Sequence, residues 1–254
     1  MQSKKFLALY DLHYGFERKN GHKKALHDPK AMELAIQFAN DYKPDVLILG
    51  GDILDCGAIS HHNKQRPGRT DGLRILADAE GLQREFLDRL PKAPKRVYIT
   101  GNHEDWLNDL QDEVPGLEGL LELPRLLDLN GWEVLKQGGE FQLGKLSFVH
   151  GDTVKGGEHV AKAAVINWER SIRFGHHHTY QVYTKTTPSN NKLGKTGMAI
   201  PCLCTKDPHY GEGAPNRWVQ GINYGRVFTD GSYADQVALI TNGRMVAEGK
   251  VYEV

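Results

Sequence analysis

Short apolar runs that end in polar clusters recur along the first 150 residues of the chain. An uninterrupted apolar run of about four to eight residues is typical of a strand that is covered on both faces. We therefore predict strands at residues 5–10, 46–49, 97–100 and 146–149.

Helical periodicity fills the intervals between these runs. Asp28 is a suitable N-cap and Pro29 suits the first helical position, so a helix is predicted between the first two strands, with apolar positions at Met32, Ala35, Ile36 and Ala39. A second helix is predicted from about residue 71 to residue 90, with an apolar stripe of Leu73, Leu76, Ala79, Leu82, Phe86 and Leu90. Weaker helical character covers residues 106–129 and 159–171.

The last third of the chain changes in character and is rich in Thr, Val, Tyr and Gly from Gln181 onward. Asn242 and Gly243 stand between apolar runs at residues 237–241 and 245–247, which predicts a two-residue β-hairpin. We expect one domain over residues 1–254 whose part at about 181–254 is mainly β. Alternating strands and helices followed by antiparallel strands favour two packed sheets flanked by helices.

Composition narrows the classes of partner. Lys plus Arg and Asp plus Glu both number 32, so the net charge predicts neither a nucleic-acid nor a membrane partner. The apolar run near the start is too short for a secretory signal or a membrane span. Three cysteines form no disulfide framework. We therefore expect a cytoplasmic protein without a membrane partner.

Each predicted strand is followed by Asp, Asn or His, at the strand end where α/β sheets bind ligands. The clusters are Asp11-Leu-His13, Gly51-Asp52-Ile-Leu-Asp55, Gly101-Asn102-His103-Glu104, His150-Gly-Asp152 and Gly175-His176-His177-His178. Any one of them alone is explained as a turn cap or a surface histidine. Together they predict a divalent metal site, and their imidazoles favour Mn²⁺, Fe²⁺ or Zn²⁺ over Mg²⁺.

The ordered set D-x-H, G-D-x-x-D, G-N-H-E, H-G-D and G-H-x-H resembles the calcineurin-like metallophosphoesterase superfamily and covers about two-thirds of the chain. The resemblance implies an α/β fold, a four-layer αββα sandwich of two mixed β-sheets flanked by helices. It also implies two divalent metal ions, with Mn²⁺ favoured and Fe, Zn or Ni as alternatives. One ion would be held by Asp11, His13 and His178, the other by Asn102, His150 and His176, and Asp52 would bridge both.

The same resemblance implies a binuclear phosphoesterase in which a metal-bridging hydroxide attacks the phosphate ester. His103 matches the superfamily's proposed general acid, with a purely structural role as the alternative, and Asp55 matches the carboxylate that orients it. If residues 175–178 are extended, His176 and His178 share a face and His177 points away. Glu104 is expected to stabilise the first turn of the following helix, and Asp152 to orient a ligand imidazole.

One departure from the superfamily concerns the substrate. Its phosphoprotein phosphatases carry an arginine directly after G-D-x-x-D, where this chain has Cys56. The resemblance therefore shifts to the phosphodiesterase and nuclease branch of bacterial or phage type, which implies the host cytoplasm if the chain is phage-encoded. The phosphate-ester substrate is expected to be a nucleotide or nucleic-acid diester. The alternatives are a phosphomonoesterase acting on nucleotides or phosphopeptides and a catalytically silent metal-stabilised scaffold.

Two basic loops, residues 14–27 and 60–70, are candidates for phosphate recognition. From the second loop, Arg66, Arg69 and His62 are predicted to bind substrate, although solvated loop charge is an equal alternative. Cys202, Cys204 and His209 lack the usual spacing of a zinc site. Aromatic residues in the last third suit either a base-stacking lip or a sheet core, namely Tyr210, Trp218 and Tyr224.

Overall fold

Two large β-sheets, a two-stranded β-hairpin and five α-helices form the described part of the fold in the computed structural model, which describes residues 3–19, 21–64, 67–186, 194–207 and 216–254. The elements of the first half are β1 (Ser3–Leu9), β2 (Phe16–Lys19), β3 (His22–Ala25), α1 (Pro29–Tyr42), β4 (Val46–Leu49), α2 (Ile75–Glu85), β5 (Lys95–Ile99), α3 (Asn102–Glu113) and α4 (Leu123–Leu126). Those of the second half are β6 (Trp132–Leu135), β7 (Phe141–Leu143), β8 (Leu146–Val149), α5 (Val160–Asn167), β9 (Ser171–Phe174), β10 (Gln181–Lys185), β11 (Lys195–Ala199), β12 (Gln220–Phe228), β13 (Tyr233–Thr241), β14 (Arg244–Ala247) and β15 (Lys250–Glu253).

The larger sheet has the strand order β15-β14-β13-β12-β1-β4-β5-β6. Its β1, β4, β5 and β6 are parallel, whereas β12 to β15 are joined antiparallel. The smaller sheet, β10-β11-β9-β8-β7, has a parallel centre and antiparallel edges. Parallel strands at the centre of both sheets bring the carboxyl ends of β1, β4, β5, β8 and β9 to one side of the molecule.

Three apolar clusters define four layers. Phe6 and Ile48 of the larger sheet pack against Phe148 of the smaller sheet in the central cluster. Helices α1 and α2 cover the outer face of the larger sheet, and α5 covers the outer face of the smaller sheet. The predicted αββα sandwich with two mixed sheets is therefore confirmed.

Helix α1 begins where the sequence predicts it. The Oδ1 of Asp28 accepts hydrogen bonds from the backbone N–H groups of Lys30 (2.9 Å) and Ala31 (3.1 Å), which satisfies donors that the first turn leaves free. The helix ends after Tyr42, where Lys43 adopts a left-handed conformation with φ of 49°. The predicted hairpin at Asn242-Gly243 is also confirmed, since both residues have positive φ and join β13 to β14.

The predicted helix at residues 71–90 is shorter than expected. Helix α2 covers Ile75–Glu85, and the remainder includes a turn at Asp71–Gly72 and a 3₁₀ turn at Leu87–Arg89. Phe86 leaves the helical conformation (φ −128°, ψ −63°) and is fully buried. Leu76 is 58% exposed, so its place on the predicted apolar stripe is wrong. Apolar spacing does not distinguish a helix from short turns that bury the same side chains.

A buried ion pair connects the two sheets. Arg173 of β9 donates from Nε and Nη2 to the two carboxylate oxygens of Asp235 of β13, at 2.6 and 2.7 Å. The side chains of Arg173 and Asp235 are only 1% and 4% exposed. The remaining guanidinium nitrogen donates to the carbonyls of Ile172 and Thr196. The pair is therefore bidentate and desolvated, and it connects the larger sheet to β9, the strand that leads into residues 175–178.

Asp78 lies buried in the first turn of α2. Burial raises the pKa of its carboxyl from 3.8 to about 6; the positive charge of Lys23 opposes this rise, and the negative charge of Asp55 adds to it by a smaller amount. A carboxyl with a raised folded-state pKa contributes stability below its unfolded pKa and loses that contribution as the pH rises through its folded pKa. At neutral pH, ionised Asp78 therefore destabilises the fold.

Asp78→Asn is expected to raise the free energy of unfolding at pH 7 by about 1–2 kcal/mol, after allowing for a lost helix-terminus interaction. The difference from the wild type should shrink between pH 6 and pH 4, where the wild-type carboxyl takes up its proton. Urea titrations of both proteins, with chelator present throughout, measure this. An equal gain at pH 4 and pH 7 would show that the charge of Asp78 is not the cause.

No helix among the described residues is long and apolar enough to cross a membrane.

Candidate metal centre

All five polar clusters predicted from the sequence meet at one edge of the sandwich. They follow β1, β4, β5, β8 and β9, whose carboxyl ends lie on the same side. The side chains that the resemblance assigns to metal are buried or half-buried there, namely Asp11, His13, Asp52, Asn102, His150, His176 and His178.

The first group of donor atoms comes from Asp11, His13 and His178. The Nε2 atoms of His13 and His178 face each other at 3.2 Å, and His178 Nε2 lies 3.4 Å from Asp11 Oδ1. Asp52 Oδ2 lies 3.7 Å from His13 Nε2. Ligand atoms that share an ion at about 2.1 Å are themselves about 3–3.5 Å apart, so this spacing fits a bound cation.

The second group comes from Asn102, His150 and His176. Asn102 Oδ1 lies 3.1 Å from His150 Nε2 and 3.0 Å from His176 Nδ1. Asp52 Oδ2 is also 3.2 Å from His150 Nε2. A single oxygen of Asp52 therefore faces both groups, as a bridging ligand must.

The chemistry of the donors also fits a metal. The Nδ1 of His13 lies 3.0 Å from Asp55 Oδ1, and a carboxylate only accepts, so Nδ1 carries the proton in the neutral ring. Its Nε2 then presents a lone pair to the nitrogen of His178, and two such lone pairs repel unless a proton or a cation lies between them. The mixture of imidazole, carboxylate and amide oxygen suits Mn²⁺, Fe²⁺ or Zn²⁺.

Left-handed backbone conformations place many of these side chains. Asp11, His13, Asp52, His176 and His178 all have φ between 49° and 64°, a region that costs energy for residues other than glycine. Strain of this kind is concentrated at functional sites and persists because the surrounding structure imposes it.

The expectation of an extended segment at residues 175–178 is wrong, because β9 ends at Phe174 and the segment bends. The left-handed residues His176 and His178 still direct both imidazoles to the donor groups. The Nε2 of His177 instead donates to the carbonyl of Val154 at 2.9 Å. His177 therefore lies away from the donor atoms, as predicted, although for a different backbone reason.

Two glycines allow the clusters to approach one another. Gly51 has φ of 99°, and a Cβ there would clash with the ring of His150. A Cβ on Gly101 would clash with Asp52. Glycine in G-D and G-N is therefore required by the close contact between neighbouring strand ends.

Each imidazole that presents Nε2 has its Nδ1 held by a different group. Asp55 holds His13, whereas the His150 Nδ1 donates to the carbonyl of Gly50 at 3.0 Å. The Sγ of Cys204 lies 3.8 Å from the His178 Nδ1. Asp152 does not orient His150 as expected, since its carboxylate accepts from Gln137.

Glu104 organises the loop that carries Asp52, a role that exceeds the predicted stabilisation of a helix turn. Its buried carboxylate accepts from the backbone N–H groups of Gly101, Asp52, Ile53 and Leu54 and from the Tyr98 hydroxyl, at 2.7–3.0 Å. Two strand ends are thereby fixed to each other. The sequence shows Glu104 beside the asparagine but not that its partners lie about fifty residues away.

His103 lies beside the donor groups without joining them. Its Nδ1 donates to the main-chain oxygen of Asp55 at 2.8 Å and is 3.2 Å from the carboxylate of the same residue. Its Nε2 lies 4.0 Å from Asp52, and the ring lines a cavity of about 650 Å³. Trp106 packs on the imidazole with ring centroids 4.1 Å apart. Asp55 therefore orients His103 toward the cavity.

The carboxylates and imidazoles shift each other's protonation. Burial alone would raise the pKa of Asp52, but the charges of His150, His103 and His13 hold it well below its usual range. Burial alone would lower the pKa of His150 and His103, but the charge of Asp52 raises both to about 10. Burial and the charge of His150 lower the pKa of His176 to about 4. Because a ligand imidazole must be neutral, an ion that binds His150 displaces a proton.

The predicted substrate-binding residues are only partly described. Arg69 and His62 line the cavity, whereas Arg66 lies outside the described residues. Lys64 of the same loop forms an ion pair with Glu113. The hairpin β2–β3 contributes Phe16 to the cavity lining. Both predicted basic loops therefore border the cavity.

The aromatic residues of the last third have different positions. Trp218 lines the cavity and packs against His178 with ring centroids 4.2 Å apart. Tyr224 is buried against Phe38 and Tyr42 in the core, so a stacking role for it is wrong. Tyr210 and His209 lie outside the described residues.

Comparison with known proteins identifies a matching protein family. The family model for calcineurin-like phosphoesterases matches residues 5–200, which include every donor residue named above. YfcE, a phosphoesterase from E. coli, is a similar solved structure with 15% identity and a TM-score of 0.41, over 91% of this chain and 98% of that chain. A second solved structure is 12% identical with a TM-score of 0.38, over 94% of this chain and 100% of the other. A search of curated protein sequences found no significant match.

Proposed function

Because the chain belongs to the calcineurin-like phosphoesterase family, we propose that it is a phosphodiesterase acting on nucleotide or nucleic-acid diesters with two divalent ions. Metal-dependent hydrolysis of phosphate esters follows from the family. The preference for diesters, the number of ions and their identity are the proposal.

In this proposal, Asp11, His13 and His178 would hold one ion, Asn102, His150 and His176 would hold the other, and Asp52 would be a ligand of both. Mn²⁺ is the favoured metal because nitrogen and oxygen donors are mixed. Two such metal ions would neutralise the charge of the phosphoryl oxygens and lower the pKa of a water molecule bound to them. The side chains of the protein then bind and orient the ester, exclude water and supply a proton to the leaving oxygen.

His103 is the proposed proton donor. Its Nδ1 is occupied by Asp55, so Nε2 is the nitrogen that faces the cavity. The carboxylates of Asp52 and Asp55 raise the pKa of this imidazole, which favours the protonated form that a proton donor needs. The helix α3 begins at Asn102, so its N-terminus also favours an anion at this position.

The preference for diesters rests on one observation: aromatic side chains stand at both ends of the donor cluster. Ring contacts run from Trp106 through His103, His13 and His178 to Trp218. A diester carries an organic group on each side of its phosphate, and nucleobases stack on indole rings. A monoester leaves one of these aromatic flanks without a partner.

Charge supports the same choice. Cys56, at the position of the phosphatase arginine, is 2% exposed and packs in the core rather than facing the cavity. Among the described residues that line the cavity, Arg69 is the one lysine or arginine. One guanidinium suits the single charge of a diester better than the double charge of a monoester.

The proposal is tested by steady-state kinetics of the Mn²⁺-loaded protein on bis(p-nitrophenyl) phosphate and p-nitrophenyl phosphate. We expect kcat/KM to be at least tenfold higher for the diester. A preference for the monoester would favour a phosphomonoesterase, and inertness toward both with two ions bound would favour a metal-stabilised scaffold.

Trp218→Leu is expected to lower kcat/KM by about tenfold for thymidine 5′-(p-nitrophenyl phosphate), because one stacking contact contributes about 1–3 kcal/mol. Methyl p-nitrophenyl phosphate, which has the same leaving group and no base, should change less than twofold. Trp218→Phe retains a stacking surface and serves as the matched control. Equal losses of kcat/KM on both substrates would show that Trp218 stabilises the metal centre rather than stacking on the nucleobase.

His103→Ala is expected to leave the metal content unchanged and to slow hydrolysis of an alkyl ester about 100-fold, since general acid catalysis contributes about 10²–10⁴-fold. The loss should be much smaller for p-nitrophenyl esters, whose leaving group departs without a proton. Metal analysis and kcat on both ester types measure this. His61→Ala is the control, because His61 also packs near Trp106 but lies 3.8 Å from Asp109 at the surface. Unchanged turnover of the alkyl ester contradicts the assignment.

A further inference from the structure

We propose that Cys204 is a positioning residue for His178: its sulfur accepts the Nδ1–H of the ring and so presents Nε2 to the other donors. The inference rests on the proposed metal centre but not on the choice between diesters and monoesters. Cys204 lies outside the residues matched by the family model. Its role follows from contacts of this chain.

The two nitrogens of His178 face different partners. Nδ1 lies 3.8 Å from the Cys204 sulfur, while Nε2 lies 3.2 Å from His13 Nε2 and 3.4 Å from Asp11. A hydrogen bond to sulfur is longer than one to oxygen, because the sulfur atom is larger. Sulfur is a weak acceptor, but Nδ1–H of a buried ring still needs one. The bond selects the tautomer whose Nε2 is free to bind a cation.

The position of Cys204 is itself constrained. Its carbonyl accepts from the side chain of Gln220 at 2.8 Å, and the adjacent Leu203 N–H donates to the carbonyl of Asp11 at 3.1 Å. Cys204 also pairs with His27 in an isolated antiparallel bridge, and its side chain is 2% exposed. The segment that carries the thiol is therefore attached to the same strand end that carries the donor Asp11.

An alternative is that Cys204 is itself a ligand, since a donor atom from each of His13, His178 and Cys204 can be chosen within 4.8 Å of one another. The orientation of the ring favours positioning, because the nitrogen nearest the sulfur is Nδ1 and the nitrogen nearest His13 is Nε2.

Four variants separate hydrogen bonding from packing. Cys204→Val retains most of the side-chain volume without an acceptor, Cys204→Ala removes both, and Cys204→Ser retains an acceptor in a smaller side chain. The control is Cys202→Ala, because Cys202 is also buried and its thiol donates to the carbonyls of Val219 (3.4 Å) and Cys204 (4.0 Å) rather than contacting His178. Calorimetric titration with Mn²⁺ gives the affinity of each variant, independently of any substrate.

We expect the Val and Ala variants to bind the more weakly held Mn²⁺ about tenfold less tightly, as is usual when a group that supports a ligand is removed. The Ser variant should lose less than threefold, and Cys202→Ala should match the wild type. The proposal is overturned if all variants stay within twofold, or if Val matches the wild type while Ala does not, since that pattern indicates packing alone.

Two spectroscopic measurements complete the test. The first uses only the wild-type protein and so does not depend on the stability of any variant. In Zn²⁺-loaded wild type, nitrogen-15 NMR of the histidine rings should show His178 with a proton on Nδ1 and zinc on Nε2. Zinc on Nδ1 contradicts the proposal. In the Co²⁺-loaded protein, a thiolate-to-metal band in the near ultraviolet that disappears in Cys204→Ala would make Cys204 a ligand and also overturn it. Neither result depends on which ester the protein hydrolyses.

Discussion

Asp52→Asn is expected to lower phosphoesterase activity by about 10³-fold or more and to reduce the number of retained ions, because in the proposed two-ion centre a bridging charge would be worth several kcal/mol in the transition state. One carboxylate oxygen faces both donor groups, 3.7 Å from His13 and 3.2 Å from His150. The other oxygen accepts the backbone N–H of His103 at 2.9 Å.

Asparagine is a more informative substitution than alanine at this position. Asp52 has φ of 52°, a conformation that asparagine adopts readily and alanine does not. Asn retains the shape and one oxygen acceptor, so the loss reports the negative charge rather than backbone strain. Metal content after gel filtration and kcat/KM on the preferred ester are the two measurements.

Asp152→Asn provides the matched control for this prediction. Asp152 also follows a strand and lies near a donor histidine in sequence, but its carboxylate accepts from Gln137. We expect this variant to keep its ions and its activity within about threefold. Two retained ions and near wild-type activity in Asp52→Asn would remove Asp52 from the centre.

Asp235→Ala is expected to lower the free energy of unfolding by about 3–5 kcal/mol, the usual consequence of leaving a buried charge without its partner. Arg173 is 1% exposed and donates twice to Asp235. Water cannot reach the guanidinium in the folded state. Urea titration followed by tryptophan fluorescence measures the loss, with wild type and variant both treated with chelator.

A double variant distinguishes charge from packing. Arg173→Met combined with Asp235→Leu removes both charges and should recover most of the lost stability, because well-packed apolar residues replace a buried pair at little cost. Glu158→Ala is the control, since its partner Arg217 and Glu158 itself are each 69% exposed. Its effect should be about 0.5 kcal/mol or less. A similarly small effect of Asp235→Ala would show that the pair does not hold the sheets together.

Several elements could be predicted because their signals are local. Strand β4 and strand β8 begin and end where the apolar runs do. The start of α1 was predictable from Asp28 and Pro29, and the β13–β14 turn from Asn242 and Gly243. In each case the deciding interaction lies within a few residues of the signal. The end of α2 could not be predicted from the sequence, because burial of Phe86 depends on residues of other elements.

In the candidate centre, too, local features could be predicted from the sequence and contacts between distant residues could not. The identity and order of its polar clusters were visible in the sequence because each cluster directly follows its own strand. Their supporting partners were not visible. Glu104 reaches the loop of Asp52, about fifty residues earlier, and Cys204 reaches His178 across 26 residues. Such partners are set by the register of neighbouring strands and leave no local pattern.

The sequence alone therefore specified the residue types of the centre and the class of fold, because apolar runs and the polar residues after them are properties of short segments. The distances between donor atoms, the left-handed backbone at five of the donor residues and the nitrogen that each imidazole presents depended on the packed sheets. These properties depend on contacts between chain segments that are far apart in sequence, and such contacts cannot be predicted from a local sequence pattern.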